Sequence, residues 1–341
     1  MKKRVFSGIR ATGRLHLGNY LGAVAGMLAL QDSYDCIFGV VDLHTITTPF
    51  DPKTLQQGIY EVVLDYLAAG LDPAKCHLMI QSQVPQHLEL AYLFGTIYQV
   101  SRLEDLPTYK EKKLQFPGYV NMGLLYYPVL MASDILIYKA ELVPVGIDQE
   151  PHLEVTREIA RKFNRMFPST GASTELSRMS SGQATFPEPQ RFATKEEYVP
   201  SLLGTGKMSK TVEGSYILLT DNLQTIKKRL AAAPTDLGSG KSVPEEGGVA
   251  NLLTLVEIFM GRQVRQDYEK KYTTSGIKYV ELKEKLAEAI YKVLAPIQEK
   301  RKYFEEHPKE VGKILEEGRA YCSKIAKETL FEVKKKMGLF G

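Results

Sequence analysis

The chain of 341 residues has no Trp, only three Cys, and no apolar run long enough to cross a bilayer. Each absence narrows what it can be. Cys36, Cys76 and Cys322 are odd in number and far apart, which suits a reducing compartment rather than a disulfide framework or a cysteine-built metal site. The longest apolar stretches, such as "CIFGVV" at 36–41, are strand-sized. The opening MKKRVFSGIR has the basic residues of a secretory signal but no apolar segment after them, so a cytoplasmic protein away from membranes is expected. Internal repeats and low-complexity tracts are missing too. The lack of Trp says nothing about the fold, and chance loss of a rare residue is enough to account for it.

Charge of one sign is also scarce, the net value being +4, but it is unevenly spread. Residues 223–341 carry 23 Lys+Arg against 17 Asp+Glu, and the rest carry 21 against 23. A mildly basic last third on a slightly acidic body is compatible with a polyanionic partner and equally with a solvated helical surface.

What is present reads as alternating strands and helices. "VFSGI" is a short apolar run followed by a glycine loop and by "YLGAVAGMLALQ", a helix. "CIFGVVDLHTI" is a buried strand with polar residues at its carboxyl end. Asp51-Pro52 caps and opens a helix carrying Leu55, Ile59, Val62, Tyr66 and Leu67 on one face and ending at Gly70. "HLMIQS" and "ELAYLFGTIYQV" continue the alternation. The fold class this predicts is α/β, a Rossmann-like parallel sheet with helices on both faces, whose ligands bind beyond the carboxyl ends of the strands. From about 169 to 206 the pattern dissolves into Ser, Thr, Gly and Pro, which reads as loop. After a second glycine-rich stretch (236–248), Val280, Leu286, Ile290, Val293, Leu294 and Ile297 keep a helical period, as do Val311, Ile314, Leu315, Cys322, Ile325 and Val333. A C-terminal helical bundle is expected, dividing the chain into a catalytic domain (1–215) and a helical domain (216–341).

Three stretches carry chemistry. "GRLHLGN" (13–19) sits at the first strand-to-helix junction, where free backbone N–H groups and close-packed glycine suit an anion, with His16 and Asn19 beside it. A plain turn would use the same glycines. The familiar phosphate loops do not fit: no G-x-G-x-x-G follows the first strand, and "GTGKMS" (204–209) has Ser201 where a P-loop needs Gly. "GKMSK" (206–210) places two lysines three residues apart around a Ser, movable cations able to close over a polyphosphate. In "LLYYPVLMASDILIY" (124–138), Pro128 suits the first position of a helix whose stripe holds Tyr127, Met131, Asp134 and Tyr138. A buried Asp there needs donors, which either the protein or a ligand's N–H or O–H could supply.

"HLGN" and "KMSK" in this order resemble the signature pair of class I aminoacyl-tRNA synthetases. With "SGIRATG", "LMASDILIY", "VPVGIDQ" and "HLEVTREIA", nearly the full chain is similar to the tryptophanyl-tRNA synthetase family, with the tyrosyl enzymes as its sister family. The resemblance implies activation of L-tryptophan by ATP with Mg2+ on the phosphates, transfer to tRNA(Trp), and a homodimer; the alternatives are a tyrosyl-tRNA synthetase or a nucleotidyltransferase of the same superfamily. It implies that Asp134 accepts the indole N–H, that Met131 and Phe6 pack the ring, and that Tyr127, Gln149 and His44 meet the rest of the amino acid. ATP would be met by Arg10, Ala11, Thr12, Gly18 and Asn19, by Gly146, Ile147 and Asp148, by Val199, and by Lys207, Met208, Ser209, Lys210 and Thr211, with Lys112 assisting. His16, Asn19, Lys207 and Lys210 would act on the reacting phosphates. The helical domain would read the anticodon.

The chain departs from familiar members in three places. "RATG" stands for the common "QPSG", so Arg10 and Ala11 replace Gln and Pro. "HLGN" ends in Asn19 rather than His, and "KMSKT" ends in Thr211 rather than Ser. Some relatives carry a cysteine-ligated iron–sulfur cluster; with no Cys between 77 and 321, neither that cluster nor another protein-bound metal is expected here.

Overall fold

The computed structural model describes residues 2–168, 184–193 and 198–340. Half of the loop expected over 169–206, residues 169–183 and 194–197, therefore lies outside the described residues. Five parallel strands form one sheet: β1 (Arg4–Ile9), β2 (Asp35–Val40), β3 (Cys76–Ile80), β4 (Leu142–Pro144) and β5 (Gln190–Phe192), in the order β3-β2-β1-β4-β5. The β5 strand falls where the sequence reads as loop. Three residues, Gln-Arg-Phe, are too few to show a period, and only pairing with β4 makes them a strand. Because β1 pairs with both β2 and β4, the strand order reverses there, and a crevice opens beyond the carboxyl ends of β1 and β4.

Helices cover both faces. In α1 (Pro52–Ala69) the Asp51 side chain accepts the Lys53 N–H at 2.9 Å and Pro52 occupies the first turn, as the sequence predicts. Next come α2 (Gln86–Gly95), α3 (Pro107–Gln115) and α4 (Met122–Leu136). Pro128 does not open α4 as expected. Asn121 does, its Oδ1 accepting the Leu124 N–H at 3.0 Å, and Pro128 sits inside the helix. The cap and burial of Leu124, Val129 and Leu130 outweigh the one backbone hydrogen bond a proline forfeits. After α5 (Glu150–Met166), the helices α6 (Leu223–Ala232), α7 (Gly248–Met260), α8 (Arg262–Thr273), α9 (Tyr279–Glu306) and α10 (Pro308–Lys336) follow the glycine-bearing turns.

The buried stripe of α9 is Leu282, Leu286, Ile290, Leu294 and Ile297; Val280 is 73% exposed and Val293 lies on the edge. One apolar core joins the sheet, α1, α7 and α9. On its polar side Arg301 of α9, itself buried, pairs with Asp65 and Glu61 of α1. The last helix turns back onto the sheet. Tyr321 of α10 stacks on His77 of β3 with ring centroids 3.5 Å apart, and its hydroxyl donates to Asp35 at 3.0 Å. Among the described residues no helix is long and apolar enough to cross a membrane.

Candidate active site

A cavity of about 320 Å³ opens at the reversal point of the sheet. Phe6, Ser7 and Gly8 of β1 form its floor, Val143 and Val145 at β4 one wall, and Tyr127, Met131 and Asp134 of α4 another. All six residues expected to meet the amino acid (Phe6, His44, Tyr127, Met131, Asp134 and Gln149) line this one space, together with Arg10 and Lys112. Tyr138, the fourth member of the expected stripe, is fully buried behind it.

Asp134 is the buried carboxylate. Its Oδ2 accepts from His44 Nε2 at 2.8 Å, its Oδ1 from His87 Nδ1 at 2.6 Å, and Gln81 Nε2 reaches both oxygens at 2.8 and 2.9 Å. Burial works to raise its pKa, but hydrogen bonds from His44 and His87 prevail and hold the carboxyl below its ordinary range. Behind His87 the Tyr138 hydroxyl lies 2.6 Å from Nε2, and burial keeps that phenol protonated, so Tyr138 donates to His87 and His87 donates to Asp134. Of the three partners only His44 also lines the cavity.

A second cluster sets Tyr127. His152 Nδ1 donates to Gln149 Oε1 at 3.2 Å, while its Nε2 faces Thr108 Oγ1 at 2.7 Å and Tyr127 Oη at 2.6 Å. Burial lowers the His152 pKa to about 4, so the ring is neutral and Nε2 is an acceptor.

The two signature loops meet beside the cavity rather than in it. His16 caps the short helix Leu17–Asn19: its Nδ1 accepts the Gly18 N–H at 3.0 Å, and Asn19 Oδ1 accepts the His16 N–H at 3.2 Å. With Nδ1 accepting, the ring proton sits on Nε2. Burial first and Lys210 second lower the His16 pKa to about 4. Gly18 lets the loops touch, since a Cβ there would stand 2.8 Å from His16 Cε1 and 3.2 Å from Met208 Cβ. Lys210 Nζ donates to the carbonyls of Thr12, Gly13 and Arg14 at 2.7, 3.1 and 2.8 Å. Lys207 Nζ lies 3.6 Å from Asp148, next to Gly146 and Ile147. Val199 is buried, and its carbonyl accepts the Met208 N–H at 3.1 Å. Ser209 is held by Ser215, whose hydroxyl donates to its carbonyl at 2.7 Å, and shares a 2.8 Å hydrogen bond with the exposed Thr211. Ala11 is fixed by its N–H to Thr45 Oγ1 at 2.9 Å.

A family model described as tRNA synthetases class I (W and Y) matches residues 1–295. The chain belongs to this family. A tryptophan–tRNA ligase from Caldanaerobacter subterraneus subsp. tengcongensis is 40% identical over 99% of the chain and 98% of the relative. One from Helicobacter pylori is 38% identical over 99% of each. The solved tryptophanyl-tRNA synthetase of Mycoplasma pneumoniae superposes with a TM-score of 0.82 at 32% identity, covering 100% of this chain and 99% of its own. That of Campylobacter jejuni, solved with ADP and tryptophan, gives 0.81 at 28% identity over 98% of this chain and 100% of its own.

Sequence reasoning missed Gln81, His87, Thr108 and His152. Gln81 follows β3 directly, where the rule on carboxyl ends of parallel strands could have found it. His152 opens the quoted "HLEVTREIA" and follows Gln149 by three residues, a spacing that shares a helix face. His87 carries no such signal, because its meeting with Asp134 joins residues 47 apart in sequence.

Proposed function

We propose that the chain joins L-tryptophan to ATP as the adenylate, releasing pyrophosphate, and transfers the amino acid to tRNA(Trp). The observation that carries this reading is the ionised Asp134 in the wall of an otherwise largely apolar cavity. A carboxylate can only accept, and beyond the bonds from His44, Gln81 and His87 its cavity side, the one held by His44, suits an indole N–H. Phe6 and Met131 pack the ring, and Tyr127 and Gln149 meet the amino-acid end.

The reacting oxygen belongs to the tryptophan carboxylate, ionised at neutral pH, so no general base is needed. It attacks the α-phosphorus of ATP in line, the bond to the bridging oxygen breaks, and pyrophosphate leaves with that electron pair. Arg10, Ala11, Thr12, Gly18 and Asn19 flank the nucleotide, as do Gly146, Ile147, Asp148 and Val199. His16, neutral with its proton on Nε2, and Asn19 donate to the α-phosphate region. Lys207 and Lys210 exchange Asp148 and the backbone carbonyls for phosphate oxygens, with Met208, Ser209 and Thr211 shaping the loop and Lys112 assisting. ATP arrives as its Mg2+ complex, because that ion favours phosphate oxygens and its own waters. A ribose hydroxyl at the tRNA 3′ end then attacks the carbonyl, and AMP leaves.

We assign adenylate chemistry to residues 1–215 and anticodon contact to 216–341, where the basic surplus lies; tRNA affinity should fall as salt rises. Leu88, Tyr92, Val100, Leu114 and Met122, exposed on neighbouring helices, support a homodimer, testable by light scattering against the 38.3 kDa chain. The three buried free thiols suit the cytoplasm. ATP–pyrophosphate exchange with each of the twenty amino acids tests the activity. Exchange on tryptophan with little on tyrosine is expected, and a tyrosine preference or no exchange at all would overturn it.

A further inference from the structure

The charges lining the cavity do not balance. Asp134 has three partners, whereas the cations Arg10 and Lys112 have no carboxylate partner among the described residues. Lys112 is occupied by Gln115 Oε1 at 2.6 Å and lies 5.8 Å from the Phe116 ring centroid. Arg10 is anchored by one arm only. Its Nη2 donates to Thr48 Oγ1 at 2.8 Å, with the Thr45 carbonyl at 3.5 Å. Its Nε is buried and has no partner among the described residues. An unpaired buried N–H on a charged group is costly, and a guanidinium so held is a ready site for an anion.

Position says which anion. No residue of "HLGN" or "GKMSK" lines the cavity, so the lysines serve a different part of the site. Arg10 bridges the two regions. Its side chain lines the cavity, and two residues later the Thr12 carbonyl holds Lys210. The group that must lie at that junction is the amino-acid carboxylate, which has to reach a phosphorus from within the cavity.

We propose that Arg10 is the carboxylate ligand of the amino acid, donating its free N–H groups to the oxygens of the group that reacts. This rests on the reading of the cavity as an amino-acid site and sharpens it: the occupant is an indole bearing an anionic end, and Arg10 is a catalytic residue here where familiar relatives have Gln. A neutral amide at this position gives a hydrogen bond of about half the strength.

The test compares Arg10→Met and Arg10→Gln with the unaltered enzyme on three ligands: tryptophan, indole-3-propionate (no amine) and tryptamine (no carboxylate). The chain has no Trp, so the ligand's own indole fluorescence, excited beyond the tyrosine band, reports binding without tryptophan emission from the protein. In Arg10→Met, Kd for tryptophan and indole-3-propionate should rise about 10- to 100-fold while Kd for tryptamine stays within about twofold. Arg10→Gln should fall between, and it carries the comparison if the Met variant folds poorly. Equal weakening of tryptamine, or a change in ATP KM alone, would overturn the assignment while leaving the amino-acid site intact. Failure of the unaltered enzyme to bind any indole compound would overturn the site reading itself, and the inference with it.

Discussion

The ammonium of Lys210 lies 2.7 Å from the carbonyl oxygen of Thr12, a contact between residues 198 apart in sequence that fastens one signature loop to the other. Burial lowers the Lys210 pKa from 10.5 to about 8, with Asp65 opposing. The cation is therefore lost as pH rises through about 8, and kcat for exchange should fall across that range. Arg at this position stays charged and should abolish the fall. The unfolded chain binds this proton more tightly than the folded one between about 8 and 10.5, so the group's contribution to stability rises there while activity drops. Lys210→Ala should lower kcat about 100-fold with little change in tryptophan KM. A rise in KM at constant kcat would contradict that role.

Replacing Asp134 with Asn keeps the shape and removes the charge that His44, His87 and Gln81 share. The amide nitrogen would then face a donor. We expect kcat/KM for tryptophan to fall at least about tenfold and stability to drop by about 1–3 kcal/mol, read as a lower urea midpoint at unchanged m. Unchanged discrimination between tryptophan and tyrosine would remove Asp134 from the specificity site.

Gly18→Ala separates activity from stability. The added methyl meets the His16 ring and Met208 within 3.2 Å, so both signature loops must shift. Misplacement on the scale of 1 Å costs about 100-fold in rate. Exchange should fall to that extent while the thermal midpoint moves by only a few degrees, which calorimetry alongside exchange assays would read.

Gly318→Ala is the converse. Its Cβ would lie 1.9 Å from the Leu78 carbonyl oxygen, a backbone atom of β3 that cannot step aside. Overpacking of this kind costs about 1–3 kcal/mol or more, and α10 should lift from the sheet. Faster amide exchange confined to α10 and β3 would register it, and protection equal to the unaltered protein would count against so tight a contact.

Much of this was legible in the residues themselves. Alternating apolar runs announced the parallel sheet, Asp51-Pro52 and Gly70 bounded α1, and the paired signatures announced the family. These signals are local, being set by hydrogen bonding and side-chain period within a few residues of each feature. The start of α4 was misread because a proline is a stronger sign on paper than the Asn121 cap seven residues earlier, and β5 was unreadable because three residues have no period.

The sequence by itself determined the order of the elements, the two signature loops and the presence of a carboxylate on an apolar helix. Only the tertiary structure decided who answers that carboxylate. His44, Gln81 and His87 come from three separate segments, and no local pattern encodes their convergence on Asp134. It decided equally that Arg10 has no acidic partner among the described residues, since pairing of buried charges depends on which backbones pack together. Local physics chooses elements from neighbours in sequence; a site is made where distant elements must satisfy, or leave unsatisfied, each other's polar groups.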